Sequence, residues 1–235
     1  MKTVWITGGG SGIGKALALL MVAHGYKVYI SGRTLEKLQQ VGAGTHPVVC
    51  DITKTDEVKD ALDQIGHVDI AVLNAGGYEP GAVKETSLDS FRKIMEINYF
   101  GAVTCVLALL ERQVKHIAVV GSVAGYRGLP NAAGYGPSKA ALISFVESLR
   151  TELHGTDTKV QLVSPGFVKS PLTDQNDFDM PYIIEPEEAA DEIYKGLQTD
   201  QFEIAFPKPF VRRLKFVRLL PYKYYFPLIK KVTGS

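Results

Sequence analysis

Thr7-Gly8-Gly9-Gly10-Ser11-Gly12-Ile13-Gly14 follows the apolar run Val4-Trp5-Ile6 and leads into Ile13 to Ala23, where apolar residues recur at helical spacing. Strand, glycine turn and helix in that order decide the reading of the chain. Glycine lets the backbone turn sharply and approach another group closely. A helix that opens there presents free N–H groups to an anion. A glycine-rich turn alone means little, but between a first strand and a helix it is the context that a dinucleotide pyrophosphate requires. The site predicted here comprises Gly8, Ser11, Gly12, Ile13 and Gly14.

Outward from this turn, short apolar strands alternate with helical patterns. Strands are expected at Val28-Tyr29-Ile30, Val48-Val49-Cys50, Ile70 to Leu73, Ile117 to Val120, Val160 to Val163 and Phe202 to Phe206. Helices are expected at Thr34 to Gln40, Lys54 to Gln64, Leu88 to Glu111, Tyr135 to Leu153 and Pro186 to Leu197. Nearly all-apolar strands are covered on both faces, which predicts an α/β fold with a doubly wound, Rossmann-like parallel sheet of about seven strands. A length of 235 residues suits one such domain, taken as residues 1–206.

The end of the second strand reads Ser31-Gly32-Arg33. An acidic residue here would bind a ribose 2′-hydroxyl and repel a 2′-phosphate, whereas the Arg33 guanidinium suits the phosphate. This points to NADP(H) rather than NAD. Tyr135 and Lys139 lie four residues apart at the start of a predicted helix, so they share one face. A free tyrosine titrates near ~10. A neighbouring ammonium, with the positive ring of an oxidised nicotinamide, is expected to favour the tyrosinate and bring Tyr135 toward working range as an acid/base.

Together these motifs resemble the short-chain dehydrogenase/reductase family, over roughly residues 1–206. The glycine spacing matches that family's T-G-x3-G-x-G, and Asn74-Ala75-Gly76 matches its N-A-G motif, which lines the cofactor cleft. The resemblance implies a catalytic set of Asn98, Ser122, Tyr135 and Lys139, with Ser122 thirteen residues before Tyr135. It further implies that Lys139 holds the nicotinamide ribose, that Asn98 supports a water linking Lys139 to solvent, and that Asp51 contacts adenine; a helix cap is the other reading of Asp51. Pro165-Gly166 resembles the turn near the nicotinamide, with Val168 and Ser170 at the positions that bind its carboxamide and phosphates. NADP-preferring members often carry a basic residue where this chain has Ser11, so the resemblance leaves the strictness of the preference open. The implied activity is an NADP(H)-dependent oxidoreductase that moves a hydride between nicotinamide and a carbonyl or secondary alcohol, a carbonyl reductase. The alternative is a regulatory protein that binds NADP without turnover. A homodimer or homotetramer is the expected assembly.

Other residues point to less. Cys50 and Cys105 read as buried small hydrophobes. Five scattered histidines show no metal spacing and read as surface or loop residues, so no metal is expected. Tyr126 and Tyr182 stand in loops that could flank the substrate, and 171–185 is expected to cover it. Apolar runs such as Ala16 to Ala23 fall far short of a membrane span, and no signal peptide pattern precedes the first strand, so the expected location is cytoplasmic.

Residues 207–235 differ from the rest. They carry eight basic residues and no Asp or Glu, while the other 206 residues carry 18 basic and 25 acidic, a net of −7. Aromatics and cations alternate, and two short amphipathic helices are expected, at Val211 to Leu219 and Tyr222 to Lys230. Packing on the body or a second subunit and peripheral contact with an anionic membrane are the readings that compete. Nucleic acid is disfavoured by the acidic body and the lack of a recognition motif.

Overall fold

The computed structural model describes residues 1–234. Seven strands form one all-parallel sheet: β1 (Thr3–Thr7), β2 (Lys27–Gly32), β3 (Thr45–Val49), β4 (Ile70–Leu73), β5 (His116–Val120), β6 (Lys159–Pro165) and β7 (Glu203–Phe206). Their order is β3-β2-β1-β4-β5-β6-β7, so the winding reverses between β1 and β4. In such sheets the crevice at the carboxyl ends of the strands, at that reversal, is where ligands bind.

Helices cover both faces, as the apolar strands require. One layer is built on α1 (Gly12–Ala23) and α7 (Pro186–Leu197), with α2 (Leu35–Gln39) at its edge. The other is built on α3 (Thr55–Ile65), α4 (Leu88–Met95), α5 (Gly101–Glu111) and α6 (Tyr135–Glu152). Trp5 anchors this second layer and satisfies its indole N–H on the Ser31 hydroxyl at 2.8 Å. Expected elements recur with small shifts. The third strand begins and ends earlier than expected, because its parallel register with β2 pairs Val28 with Thr45 and the last β2 residue, Gly32, with Val49.

Between α4 and α5 the helix does not break but widens into a π-turn, Glu96–Phe100. The continuous helix Leu88–Glu111 is thereby long and apolar enough to cross a membrane by length and composition, which corrects the reading that no stretch approaches a span. Its apolar character has another cause: Ala102, Cys105, Val106 and Leu109 are buried in the core beneath it.

The thiols of Cys50 and Cys105 are free and buried; burial pushes Cys50 up to about 12 and Cys105 well above the usual thiol range. One histidine departs from expectation. His116 sits in β5 with Nε2 2.7 Å from the Gln161 side chain, and burial lowers its pKa to about 4. No cluster suited to a metal occurs among the described residues.

The chain ends in two helices, α8 (Lys208–Arg218) and α9 (Tyr222–Thr233). Val211 and Tyr225 are buried, so these helices pack on the body. Ser235 lies outside the described residues.

Candidate active site

The glycine turn sits at the carboxyl end of β1, beside the reversal. Gly8 and Gly12 have positive φ, +66° and +48°. A Cβ at Gly8 would stand 2.7 Å from the Ala75 backbone, and one at Gly14 2.3 Å from the Gly8 carbonyl oxygen, so neither position admits a side chain. Asn74 explains the closeness. Its Nδ2 donates to the carbonyls of Thr7 (3.2 Å) and Gly8 (3.1 Å), while Ala75 N–H donates to the Thr7 hydroxyl at 3.1 Å. The N-A-G motif thus ties β4 to the turn on β1.

The opening of α1 fits an anion. Ser11 is the N-cap, its side chain makes no capping bond, and the first turn has no acidic residue. The N–H groups of Gly12, Ile13 and Gly14 are those a helix leaves without internal partners. On the far side, Ser170 Cβ would lie 3.2 Å from a Cβ at Gly12, so the loop after β6 faces the turn across the crevice. Pro165 ends β6, Gly166 follows it, and Val168 pairs with Ile184. Ser170 and Thr173 bond to each other's backbone N–H and so order this loop. Arg33, just past β2, is exposed and has no ion-pair partner among the described residues. Asp51 follows β3, where its Oδ1 accepts from the Thr53 N–H (3.0 Å) and hydroxyl (2.9 Å). The turn-capping role therefore occupies one oxygen of Asp51. These residues fit a dinucleotide laid across the sheet edge.

Asn98, Ser122, Tyr135 and Lys139 are brought together from four separate segments. Asn98 stands in the π-turn, a feature frequent at functional positions. Its Oδ1 accepts from Gly77 N–H at 2.7 Å, and its Nδ2 donates to the Gly77 carbonyl (3.0 Å) and to Ser138 Oγ (2.9 Å). Ser138 in turn donates to the Tyr135 carbonyl at 2.7 Å. A Cβ at Gly76 would lie 3.1 Å from Asn98 Oδ1 and 3.7 Å from Lys139 Nζ, so the glycine of N-A-G keeps these two side chains close. Ser122 Oγ accepts from Ala124 N–H at 3.1 Å and hydrogen-bonds with the Tyr135 phenol, which lowers the phenol's pKa.

Lys139 is buried, and its Nζ donates to the Val120 carbonyl at 2.9 Å. It stands 5.8 Å from the centre of the Tyr135 ring. Burial lowers its pKa to about 8. Tyr135, in the chain without a bound nicotinamide, shifts upward. Burial pushes its phenol up to about 12; Ser122 pulls it down and the Tyr78 phenol adds to the rise. One N–H of Lys139 donates to the Val120 carbonyl, and Lys139 is not among the groups that shift the phenol, so spacing on one helix face does not by itself acidify the tyrosine in the chain without cofactor.

Sequence reasoning missed several participants. Tyr78 stands edge-on to Tyr135 at 4.9 Å and donates to Asn176 at 2.6 Å. Its signal was its place directly after N-A-G, in Gly76-Gly77-Tyr78. Phe210 of α8 reaches the cleft from the tail: a Cβ at Gly166 would meet its ring at 2.9 Å, and it packs on Phe167 and Tyr182. Tyr182 thus belongs to the segment over the cleft. Tyr126 does not face the cleft: it is buried, and its hydroxyl bonds Glu203.

Comparison with known proteins agrees with this geometry. The family model for short chain dehydrogenase matches residues 2–180. An uncharacterized oxidoreductase of Myxococcus xanthus (strain DK1622) is 37% identical over 235 residues, covering 94% of this chain and 93% of that protein. Carbonyl reductase family member 4 of Xenopus tropicalis is 33% identical over 73% of this chain and 78% of its own length. Among solved structures, a short chain dehydrogenase from Burkholderia cenocepacia J2315 in complex with NADP superposes with a TM-score of 0.80 at 26% identity, over 94% of this chain and 100% of that one.

Proposed function

The chain belongs to the short-chain dehydrogenase family, and from that premise we propose that it is an NADP(H)-dependent carbonyl reductase with Tyr135 as its acid/base. The observation that carries this reading is the convergence of Asn98, Ser122, Tyr135 and Lys139 beside a glycine turn built to admit an anion.

Bound nicotinamide would supply the hydride. The remaining chemistry belongs to the chain. A neutral Tyr135 phenol, kept protonated by its buried setting, donates its proton as charge develops on the carbonyl oxygen. The Ser122 hydroxyl, which meets the Tyr135 phenol, can donate to that same oxygen. Lys139, whose ammonium is disfavoured by burial, can pass a proton on toward the phenolate. Asn98, held by Gly77 and Ser138, keeps the π-turn beside Lys139 in register. Arg33, exposed and without an ion-pair partner among the described residues, is the residue offered to a 2′-phosphate. Phe100 and Leu107, exposed on the outer side of the Leu88–Glu111 helix, support pairing of two copies there.

The experiment is a panel of aldehydes, ketones, 3-oxoacyl thioesters and quinones with NADPH and NADH side by side, read at the reduced-nicotinamide absorbance. Carbonyl-dependent loss of NADPH is expected. Tight NADPH binding with no consumption across the panel would replace this reading with that of a cofactor-binding regulator.

A further inference from the structure

The two terminal helices are folded onto the body in a fixed orientation. Arg127 Nη1 donates to the carbonyls of Val217 (3.0 Å) and Arg218 (2.9 Å) at the end of α8 and of Leu220 (2.7 Å) just beyond it, where the last carbonyls of a helix need partners from outside the helix. The same guanidinium lies over the rings of Tyr225 (3.7 Å) and Tyr222 (4.7 Å). Tyr225 donates its hydroxyl to the Gly128 carbonyl, and Lys215 pairs with Glu203, on which Tyr126 and Ser164 also converge. The corner between α8 and α9 is therefore held in one place.

What this corner turns outward is unusual for a protein surface. Phe216 is 68% exposed, Leu219 80%, Tyr222 68% and Phe226 62%, and Tyr222 stacks on Phe226 at 5.5 Å. Large apolar side chains grouped in this way mark an interaction surface. Arg212 is one helical turn from Phe216, and Arg218 and Lys223 flank the corner; all three are exposed. The whole segment has no Asp or Glu.

We propose that this corner docks the protein on an anionic membrane surface, with the aromatic and leucine side chains entering the headgroup boundary and the cations on lipid phosphates. Charge selects this occupant. A twofold contact between copies would set the same cationic patch against itself, which is repulsive. An anionic bilayer complements both features of the patch, the apolar tips and the surrounding cations. The inference does not depend on the redox reading. It has a consequence for the cleft, since Phe210, which packs on Gly166, and Phe216 lie on one helix about 9 Å apart along its axis.

The test uses the full chain and sedimentation with vesicles of phosphatidylcholine alone or with about a third phosphatidylglycerol. Binding to the anionic vesicles at low salt is expected to exceed binding to neutral ones by about tenfold or more, and to weaken as salt rises. Phe216→Ser with Leu219→Ser, and separately Arg212→Glu with Lys223→Glu, should each cut anionic-vesicle binding by about tenfold. All four side chains are exposed, and melting curves report whether the variants keep the fold. Absence of wild-type binding to anionic vesicles would overturn the proposal. So would equal binding to both vesicle types, folded variants that bind like wild type, or loss of an oligomer in size exclusion on Phe216→Ser with Leu219→Ser, which would assign the corner to a second copy or another protein.

Discussion

The cleft and the terminal corner solve opposite problems with the same residue types. In the cleft, Lys139 is buried and Tyr135 half-buried, and the protein supplies the polar partners: the Val120 carbonyl for Lys139, Gly77 and Ser138 for Asn98. At the corner, Tyr222, Tyr224 and cations are turned to the outside, and Arg127, the Gly128 carbonyl and Glu203 of the body hold the arrangement. Burial shifts the protonation of a side chain, as it does for both members of the pair in the cleft. Exposure leaves side chains available to a second surface. The contrast teaches that a Tyr/Lys pattern in sequence states nothing about its chemistry until its access to water is known.

The sharpest way to break the comparison is Tyr135→Phe. If the phenol is the acid, turnover should fall by about 10² to 10⁴ while NADPH affinity, read by fluorescence titration, stays within a few-fold. Normal turnover in this variant would reduce the cleft to a binding site.

The buried ammonium makes a second, thermodynamic claim. Lys139 is lowered to about 8 in the folded protein from the ordinary 10.5. Between those values the unfolded chain binds more protons, so the cofactor-free protein should gain stability as pH rises from 8 toward 10. The gain attributable to Lys139 is up to about 3 kcal/mol, and Lys139→Met should abolish it. Denaturant titrations of both proteins across that window measure the difference. Parallel curves would mean that water reaches the ammonium.

On the other side of the comparison, Arg127→Ala removes three carbonyl contacts and a cation between two rings. The terminal helices should loosen by about 2 kcal/mol, seen as faster hydrogen exchange in 208–233 with the cleft's own protection kept. Loss of protection throughout the sheet would show that corner and cleft are one cooperative unit.

The smallest expected effect concerns the cofactor. Arg33→Asp should shift the NADPH/NADH ratio of kcat/KM by about tenfold or more toward NADH, through loss of one phosphate contact and gain of repulsion. An unchanged ratio would remove Arg33 from that role.

Much of the fold was legible because parallel strands buried on both faces read as plain apolar runs. Ile70–Leu73 and Pro186–Leu197 appear with the bounds expected of them. The glycine turn was legible because a tight approach of backbone to backbone leaves no other residue type a place, as at Gly8 and Gly14. Less local features were not. The π-turn at Asn98 leaves no mark in apolar spacing, and Phe210 looked like one more aromatic of the tail. Tyr126 looked like a pocket residue until its partner, Glu203, proved to stand on β7.

By itself the sequence determined the alternation of strand and helix, the glycine turn and the four-residue step from Tyr135 to Lys139. These are local patterns, set by backbone sterics and by which faces must avoid water. Only the tertiary structure decided that Lys139 is buried and donates a hydrogen bond to Val120, that burial raises the Tyr135 phenol in the cofactor-free chain, and that the aromatic tail shares a helix with the wall of the cleft. Those outcomes depend on desolvation and on contacts between segments far apart in the chain, and neither is written in the spacing of neighbouring residues.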